Sequence, residues 1–418
     1  MNALQIGTLL IVFAGVFGAV NHILFRLPSA IGILIVALAA SFCVLGLDAL
    51  RPDLGVAMEM RQFVTEAEFS RTLLEGMLGL LLFAGALHLR LEDLRKQAWT
   101  MAVMATLGVA LSVTVVGFGF HWVTGMPLLA ALVFGALISP TDPVAVLGVM
   151  AEANLPKSLE ANIVSESLFN DGVGYVVFLL LVGLAFQPVG GHAAADTIGI
   201  IMFFLKEVGG GALLGGVLGF LTYRVMRRID DYPLEILLSL GLALGGYQLA
   251  VALGLSGPIM AVVAGLFMGD IGIKHAMSEQ TQAYLSGFWT VIDEILNAVL
   301  FLLIGVEVFV VTLNVDTISA GVSAIGLSLV GRLLAVAVPV VLIRPFREYS
   351  RGVVPIMTWG GLKGGISVAL ALSLPDSDWK PLILTATFIV VVFSIIVQGL
   401  TIAPLARCLS RKPASRQA

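Results

Sequence analysis

Long apolar stretches alternate with short polar connections along almost the whole chain. An apolar stretch of about 20 residues can cross the hydrocarbon core of a bilayer as an α-helix. Such stretches predict about thirteen transmembrane helices and leave no room for a soluble domain. The sequence therefore predicts an all-α polytopic membrane protein. The predicted spans are residues 3–25, 28–47, 71–89, 98–121, 127–149, 162–186, 198–225, 233–253, 255–273, 284–312, 317–343, 353–373 and 380–406.

The composition agrees with this pattern. Hydrophobic residues make up 59% of the chain and charged residues 12%, whereas a soluble domain carries about 25% charged residues. The first apolar stretch has no Lys or Arg before it. It therefore lacks the basic start of a cleaved signal peptide and is interpreted as a retained first helix.

The distribution of basic residues predicts the orientation. Lys and Arg concentrate in cytoplasmic loops, and the tail at residues 408–418 is rich in them. Alternation over an odd number of spans then places most of the 23 Lys and Arg residues on the cytoplasmic side and the N-terminus outside. Arg332 and Lys363 are left within the membrane.

Two of the predicted helices are interrupted. In the fifth, Pro140 and Pro143 flank Asp142, and in the twelfth, four Gly surround Lys363. Pro removes a backbone donor and Gly destabilises a helix. If the halves are helices 1–6 and 8–13, each interrupted helix is the fifth of its half. The two interrupted helices are seven positions apart in the order of helices, and because seven is odd, one half is inverted in the membrane relative to the other. This pairing predicts inverted six-helix repeats, with crossed broken helices 5 and 12 around a site near the midplane.

Three carboxylates fall inside apolar stretches next to the first interruption: Asp142, Glu166 and Asp171. A charged residue at the centre of a bilayer costs about 2.5–3.5 kcal/mol on insertion scales, so such residues indicate ion or proton handling. Ser167 and Asp171 are four apart and share a helix face, as do Glu166 and Asn170.

The side chains around the first interruption form a set of hard oxygen ligands. Neither Cys nor His forms a cluster, so no cofactor and no transition metal is expected, and a small monovalent cation fits best. The predicted ion ligands are Thr141, Asp142, Ser167, Asn170 and Asp171.

Asp171 is the predicted centre of exchange. Burial favours the neutral form of a carboxylate, so one group can hold either a proton or a cation, but not both. With a neutral Asn170 beside it, one cation is exchanged for one proton.

The remaining charges in the membrane are assigned supporting tasks. Asp142 and Lys363 are expected to compensate the half-helix ends at the two interruptions. A buried Arg332 needs a partner, and Glu166 is the candidate. Glu307 is expected to be solvated near the outer end of the tenth helix. Two interpretations stay open for Asp293, Glu294 and Asn297: a cytoplasmic vestibule that attracts cations, or a solvated helix end.

The segments that carry these residues resemble a known family. They are Ser139 to Val146, Glu166 to Gly172, Phe301 to Gly305, Gly331-Arg332 and Trp359 to Gly364. Together they resemble signature segments of the monovalent cation:proton antiporters of family 1. These are the NhaP-type sodium/proton antiporters, which are related to the animal sodium/proton exchangers. The resemblance runs in order from about residue 70 to 400.

The resemblance implies a homodimer in which a moving core domain slides past a dimerisation domain, as in an elevator. The core would comprise about 71–186 and 284–406, and the dimerisation domain about 1–47 and 198–273. It implies that Asp171 is the exchanged carboxylate, supported by Thr141, Asp142 and Ser167. The Asn-Asp pair at 170–171 resembles the electroneutral branch, because the electrogenic branch carries Asp-Asp.

It also implies that Glu166 pairs with Arg332 and that the protein lies in a bacterial or archaeal cell membrane. One departure is Lys363, where the family often has Arg.

Four functions are compatible with a buried carboxylate site. The first is an electroneutral Na⁺(Li⁺)/H⁺ antiporter, and the second is a K⁺/H⁺ antiporter of the same fold. The third is an intramembrane aspartyl protease using Asp142 and Asp171, which the surrounding Thr-Asp-Pro and Asn-Asp-Gly segments disfavour. The fourth is a channel, which would pass current. The expected partners are monovalent cations, protons, lipid and a second copy of the chain, with no nucleic acid.

Overall fold

The computed structural model describes residues 3–51, 55, 58–61, 72–89, 101–142, 157–186, 197–343 and 352–410. All regular structure within these ranges is helical. In the first half of the chain the helices are α1 Ala3–Val20, α2 Ser29–Leu50, α3 Thr72–Leu87, α4 Val109–Thr124, α5 Leu128–Ile138, α6 Lys157–Phe186 and α7 Thr197–Met226.

In the second half of the chain, the helices near residue 360 are short. Apart from the single turn Ile273–Ala276, its α-helices are α8 Tyr232–Ala252, α9 Gly257–Phe267, α10 Glu279–Val306, α11 Val315–Ile343, α12 Val353–Trp359, α13 Gly365–Leu372, α14 Lys380–Phe393 and α15 Gly399–Ser410. Wide π-helical turns extend or join several of these helices. They lie at Asn21–Phe25, Met104–Gly108, Met268–Gly272 and Ser394–Gln398.

The lengths and compositions of these helices suit a membrane. In the described ranges, eight helices are long and apolar enough to cross a bilayer, and three shorter apolar helices accompany them. Each predicted span contains residues that are helical in the structure. The predicted all-α polytopic membrane fold is therefore confirmed, while the number of spans and the inverted repeat stay predictions.

Two very short connections are closed by specific local chemistry. After α1, the side chain of Asn21 accepts a hydrogen bond from Leu27 N (3.3 Å) and donates one to Leu27 O (2.9 Å). Arg26 adopts a left-handed φ of 53° within this turn. Between α8 and α9, Gly254 takes a φ of 64° and the Ser256 side chain caps α9.

Helices α4, α5, α6, α11 and α14 pack together and hold the ends of the interrupted segments. Their shared core includes the stacked rings of Phe120 and Phe134, whose centroids are 4.0 Å apart. Gly135 lets α5 lie directly against the α4 backbone at Val113 and Gly117, since a Cβ there would collide with it. Small residues at such crossings are typical of helices that pack in lipid.

Two interruptions of helical structure meet near the centre of this unit. Helix α5 ends at Ile138, and residues 140–142 are not helical, while α12 and α13 are separated by residues 360–364. The Asp142 N–H donates to Leu362 O at 2.8 Å, so the two interruptions are joined by a backbone hydrogen bond. Residues 143–156 are outside the described ranges, so the crossing of two complete broken helices stays a prediction.

The expectation that Glu307 is solvated is wrong. Its side chain is 4% exposed, within the short turn Glu307–Phe309 that follows α10. The end of α10 does not face water, because other segments cover it: Ser41 Oγ of α2 donates to Gly305 O at 3.0 Å, and Arg61 Nε donates to Phe309 O at 2.8 Å.

Candidate functional site

The end of α5 brings Thr141 against α6. Thr141 N donates to Asp171 Oδ1 at 3.2 Å, and its hydroxyl lies 3.0 Å from Ser167 Oγ. All three side chains are at most 4% exposed. Ser167 and Asp171 share one face of α6, as their spacing predicted. The sequence pattern thus brings a carboxylate and two hydroxyls together in a buried site.

Asn170 completes this arrangement and leaves an oxygen without a partner. Its amide Nδ2 donates to Ser139 O at 3.2 Å and to Thr141 Oγ1 at 3.4 Å. A backbone carbonyl can only accept, so this contact sets which end of the amide faces the interruption. Among the described residues, Asn170 Oδ1 and Ser139 Oγ have no hydrogen-bond partner. Buried acceptors of this kind are rare and suit a bound cation.

Asp142 lies where the two interruptions meet and is 8% exposed. Gly364 lies so close to it that a Cβ at Gly364 would collide with the carboxylate. Helix α13 begins one residue later, and the N-terminal end of a helix carries partial positive charge. The position of Asp142 therefore suits charge compensation at that end.

Lys363 faces the opposite helix end. Its ammonium donates to Ser139 O at 3.1 Å and to Pro140 O at 3.3 Å, and the side chain is 3% exposed. These carbonyls lie at the C-terminal end of α5, which carries partial negative charge. A Lys can therefore occupy this place although the resembled family often has Arg, because the contacts are to single carbonyl oxygens.

Glu166 and Arg332 form a bidentate ion pair. Arg332 Nη1 and Nη2 donate to Glu166 Oε1 and Oε2, each at 2.6 Å, and both side chains are 5% exposed. Arg332 Nε also donates to Met357 O at 3.3 Å, which links α6, α11 and α12. A Cβ at Gly361 would collide with the guanidinium, so the second interruption leaves the space that the pair occupies.

The residues of the tenth predicted helix lie beside the site. Asp293 is half-buried and Glu294 is exposed, whereas Asn297 is 5% exposed and donates to Asp293 O at 2.8 Å within α10. The charges of Asp293 and Asp142 are close enough to interact. Because α10 begins at Glu279, these residues are not in its first turns, which makes a solvated helix end the poorer interpretation.

Ser394 and Gln398 also belong to the surroundings of the site, although no sequence pattern predicted them. Ser394 Oγ accepts the Lys363 N–H at 2.8 Å and donates to Gln398 Oε1 at 2.6 Å, and Gln398 Nε2 donates to Trp359 O at 3.0 Å. The available signal was a hydroxyl and an amide four residues apart in an otherwise apolar stretch, a spacing that places both on one helix face.

Comparisons with known proteins agree on one family. The model of the family described as sodium/hydrogen exchanger, transmembrane, matches residues 8–408. The Na⁺/H⁺ antiporter NhaP of Pseudomonas aeruginosa is 44% identical over 399 residues, which cover 93% of this chain and 92% of the relative. The Na⁺/H⁺ antiporter NhaH of Halobacillus aidingensis is 36% identical over 92% of this chain and 93% of the relative.

A solved structure has the same fold. The sodium proton antiporter MjNhaP1 from Methanocaldococcus jannaschii, determined at pH 8, matches with a TM-score of 0.77 over 97% of this chain and 98% of that chain. The sequence identity is 19%, so this likeness concerns the fold alone.

Proposed function

The chain belongs to the family of transmembrane sodium/hydrogen exchangers, and from this membership we propose that it is a secondary antiporter that exchanges Na⁺ or Li⁺ for H⁺. The resemblance predicted from the motif segments is thereby confirmed. The chain is an integral, multi-pass membrane protein. We place it in the membrane of a bacterial or archaeal cell, with the N-terminus outside and the C-terminus in the cytoplasm.

The observation that carries the proposal is the set of oxygens around Asp171. Its carboxylate is 4% exposed and lies beside the Thr141–Ser167 hydroxyl pair. Asn170 Oδ1, which has no hydrogen-bond partner among the described residues, belongs to the same part of α6. A carboxylate in such a place is neutral when it holds a proton and neutral again when it holds a monovalent cation. The two therefore compete for one group, and alternating access turns this competition into exchange.

The proposed stoichiometry is one cation for one proton. Of the acidic side chains near the site, Glu166 is neutralised by Arg332 at 2.6 Å, Asp142 faces the start of α13, and Asp293 on α10 is assigned no change of occupant. Asn170 carries no charge. Asp171 is then the one group whose occupant changes during the cycle, so each turnover moves no net charge.

The proposed movement is that of a rigid core unit. Three polar contacts join different helical segments of the site: the Glu166–Arg332 ion pair, the hydrogen bond from Asp142 N to Leu362 O, and the hydrogen bond from Lys363 Nζ to Ser139 O. Breaking them inside a membrane would leave polar groups unpaired, which is costly. A change of access is therefore easier when the whole unit slides against the remaining helices, in a homodimer whose dimerisation domain stays in place.

The test is exchange in proteoliposomes that contain a pH-sensitive dye. Addition of Na⁺ or Li⁺ should move protons, and the rate should not depend on a clamped membrane potential. Asp171→Asn should abolish exchange while the protein stays folded. Glu235→Gln is the matched control, because Glu235 is 0% exposed on α8 and removing its charge should leave exchange intact. Exchange that persists in Asp171→Asn would remove Asp171 from the central role.

The same preparation separates the other functions. Proton movement driven by K⁺ but not by Na⁺ would replace the proposed substrate by K⁺. A rate that follows the imposed potential would refute the one-for-one stoichiometry, and current without proton coupling would indicate a channel.

A further inference from the structure

The interruption between α12 and α13 creates backbone groups that need partners. The carbonyls at the end of α12 and the N–H groups before α13 have no intrahelical partner, and a membrane interior supplies no water for them. Helix α12 ends at Trp359 and α13 begins at Gly365. Leu362 O accepts from Asp142 N, as described above. Two further backbone groups here, Trp359 O and Lys363 N, are both bonded by side chains of a different helical segment.

These side chains form one continuous chain of hydrogen bonds, the Ser394–Gln398 bridge. It runs from Lys363 N to Ser394 Oγ (2.8 Å), then to Gln398 Oε1 (2.6 Å), and from Gln398 Nε2 to Trp359 O (3.0 Å). The directions of these hydrogen bonds are consistent, because the Ser394 and Gln398 side-chain oxygens each accept one bond, and the Ser394 hydroxyl and the Gln398 amide group each donate one. Ser394 is 0% exposed and Gln398 is 4% exposed.

The bridge is built on a local irregularity of its own helix. Ser394 and Gln398 are the first and last residues of the π-helical turn that joins α14 to α15. Such turns are rare and occur frequently at functional sites. Two polar side chains this deep in an apolar helix are costly unless they are bonded, and the interruption opposite provides their partners.

The bridge is linked directly to the ion site through one residue. Lys363 receives the bridge at its backbone N–H, and its ammonium contacts Ser139 O and Pro140 O at the end of α5. The next residue after these carbonyls is Thr141, which bonds Asp171. The position of the Lys363 backbone therefore determines where its ammonium can reach, and so where a positive charge lies relative to Asp171.

We propose that Ser394 and Gln398 are positioning residues for cation exchange: they hold the Lys363 backbone so that its ammonium is set against the end of α5, and thereby set the affinity of the site for the cation. This inference rests on the proposed antiport function. Neither side chain is assigned to touch the ion.

The test compares three hydroxyl changes on one helix. Ser394→Ala removes the bridge at Lys363 N, and Ser394→Thr keeps a hydroxyl. Thr387→Val is the matched control, because Thr387 is also 0% exposed on α14 but its hydroxyl donates to Ile383 O of its own helix, at 2.7 Å. Purified variants are reconstituted, and the apparent KM for Na⁺ and the maximal exchange rate are measured separately.

Ser394→Ala should raise the apparent KM for Na⁺ about tenfold while the maximal rate stays within about threefold, because Lys363 would no longer hold the end of α5 in the binding geometry. A tenfold change corresponds to about the free energy of one hydrogen bond. Ser394→Thr should restore KM, and Thr387→Val should leave it unchanged. An unaltered KM in Ser394→Ala would overturn the proposal.

Gln398→Met keeps the proposal testable if Ser394→Ala does not fold, since it removes only the far end of the bridge. It should raise KM in the same direction. Equal loss of folded protein in Ser394→Ala and Gln398→Met, with Thr387→Val intact, would show a purely structural bridge and overturn the proposal. If the wild-type protein shows no Na⁺/H⁺ exchange, the proposed function fails rather than this inference.

Discussion

Replacing Glu166 by Gln should destabilise the folded protein by about 3–5 kcal/mol, the usual loss when one partner of a buried ion pair is removed. Glu166 and Arg332 are each 5% exposed, and both of the bonds between them are 2.6 Å long. Charge-assisted hydrogen bonds this short are the strong kind. The guanidinium would stay in place without its counter-charge, because Arg332 Nε is also held by Met357 O.

The geometry explains why Gln is a poor substitute despite its shape. A carboxylate offers one oxygen to each guanidinium nitrogen, whereas an amide offers one oxygen and one NH₂ group. The NH₂ group would then face a second donor. The double variant Glu166→Leu with Arg332→Met removes both charges, and such replacements are often neutral or stabilising. It should therefore recover most of the stability lost in Glu166→Gln. With the single variants Glu166→Leu and Arg332→Met it forms a double-mutant cycle, which gives the coupling between the two residues.

The free energy of unfolding can be followed by titrating SDS into neutral detergent micelles, with the pH profile of exchange measured on the same preparations. Asp376→Asn is the control. Asp376 forms an i,i+4 pair with Lys380 at 3.0 Å, but its side chain is fully exposed. Exposed pairs of this kind contribute little, so the control should unfold like the wild type.

One result would refute the assignment of Glu166 as a structural partner. If Glu166→Gln unfolds within about 1 kcal/mol of the wild type, the loss expected from an uncompensated buried charge is missing. If the pH profile of exchange moves at the same time, Glu166 is a titrating carboxylate of the transport cycle.

The other predictions concern the two interruptions and the exchanged carboxylate. Gly364→Ala should lower stability by about 1–3 kcal/mol and abolish exchange, because its Cβ would collide with the Asp142 carboxylate. The control Gly326→Ala faces open space and should keep the stability and the exchange rate of the wild type, which melting curves and exchange assays measure. Lys363→Met keeps the apolar stem of the side chain but loses two hydrogen bonds to buried carbonyls. Unfolding titrations should therefore show a free energy of unfolding lower by about 1–3 kcal/mol, and exchange should be slower. Exchange at the wild-type rate would argue against charge compensation by Lys363. At pH values below the pKa of Asp171, the apparent KM for Na⁺ should rise about tenfold for each unit by which pH falls, at constant maximal rate. The reason is that one proton competes with one cation for the Asp171 carboxylate. A hundredfold rise per unit would indicate two protons.

The local part of the site could be predicted from the sequence because it depends on helix periodicity. Ser167 and Asp171 are four residues apart, so any helix through them places both on one face. Pro140 and the glycines around Lys363 end a helix for backbone reasons that hold in any surroundings. Each of these inferences needs only a few neighbouring residues.

Predictions failed or were missing where a distant segment supplies the surroundings. Glu307 was expected to be solvated because it lies at the end of an apolar stretch, yet Ser41 and Arg61 bond the backbone around it and bury it. No role was predicted for Ser394 and Gln398, because a Ser and a Gln in an apolar helix are compatible with many structural roles when their partners are unknown.

The sequence by itself determined that the chain is a membrane protein of many helices, where helical structure stops near Pro140 and near Lys363, and which carboxylates lie within apolar stretches. Apolar length, helix-breaking residues and periodicity are properties of neighbouring residues, and lipid leaves the backbone few alternatives to helix. The tertiary structure decided which polar groups meet. Glu166 lies 166 positions from Arg332, and Ser139 lies 224 positions from Lys363. No local pattern encodes such distances, so the geometry of the pairs emerges only when the helices pack. The same holds for Asn170 Oδ1, which finds no hydrogen-bond partner among the residues that the structure describes.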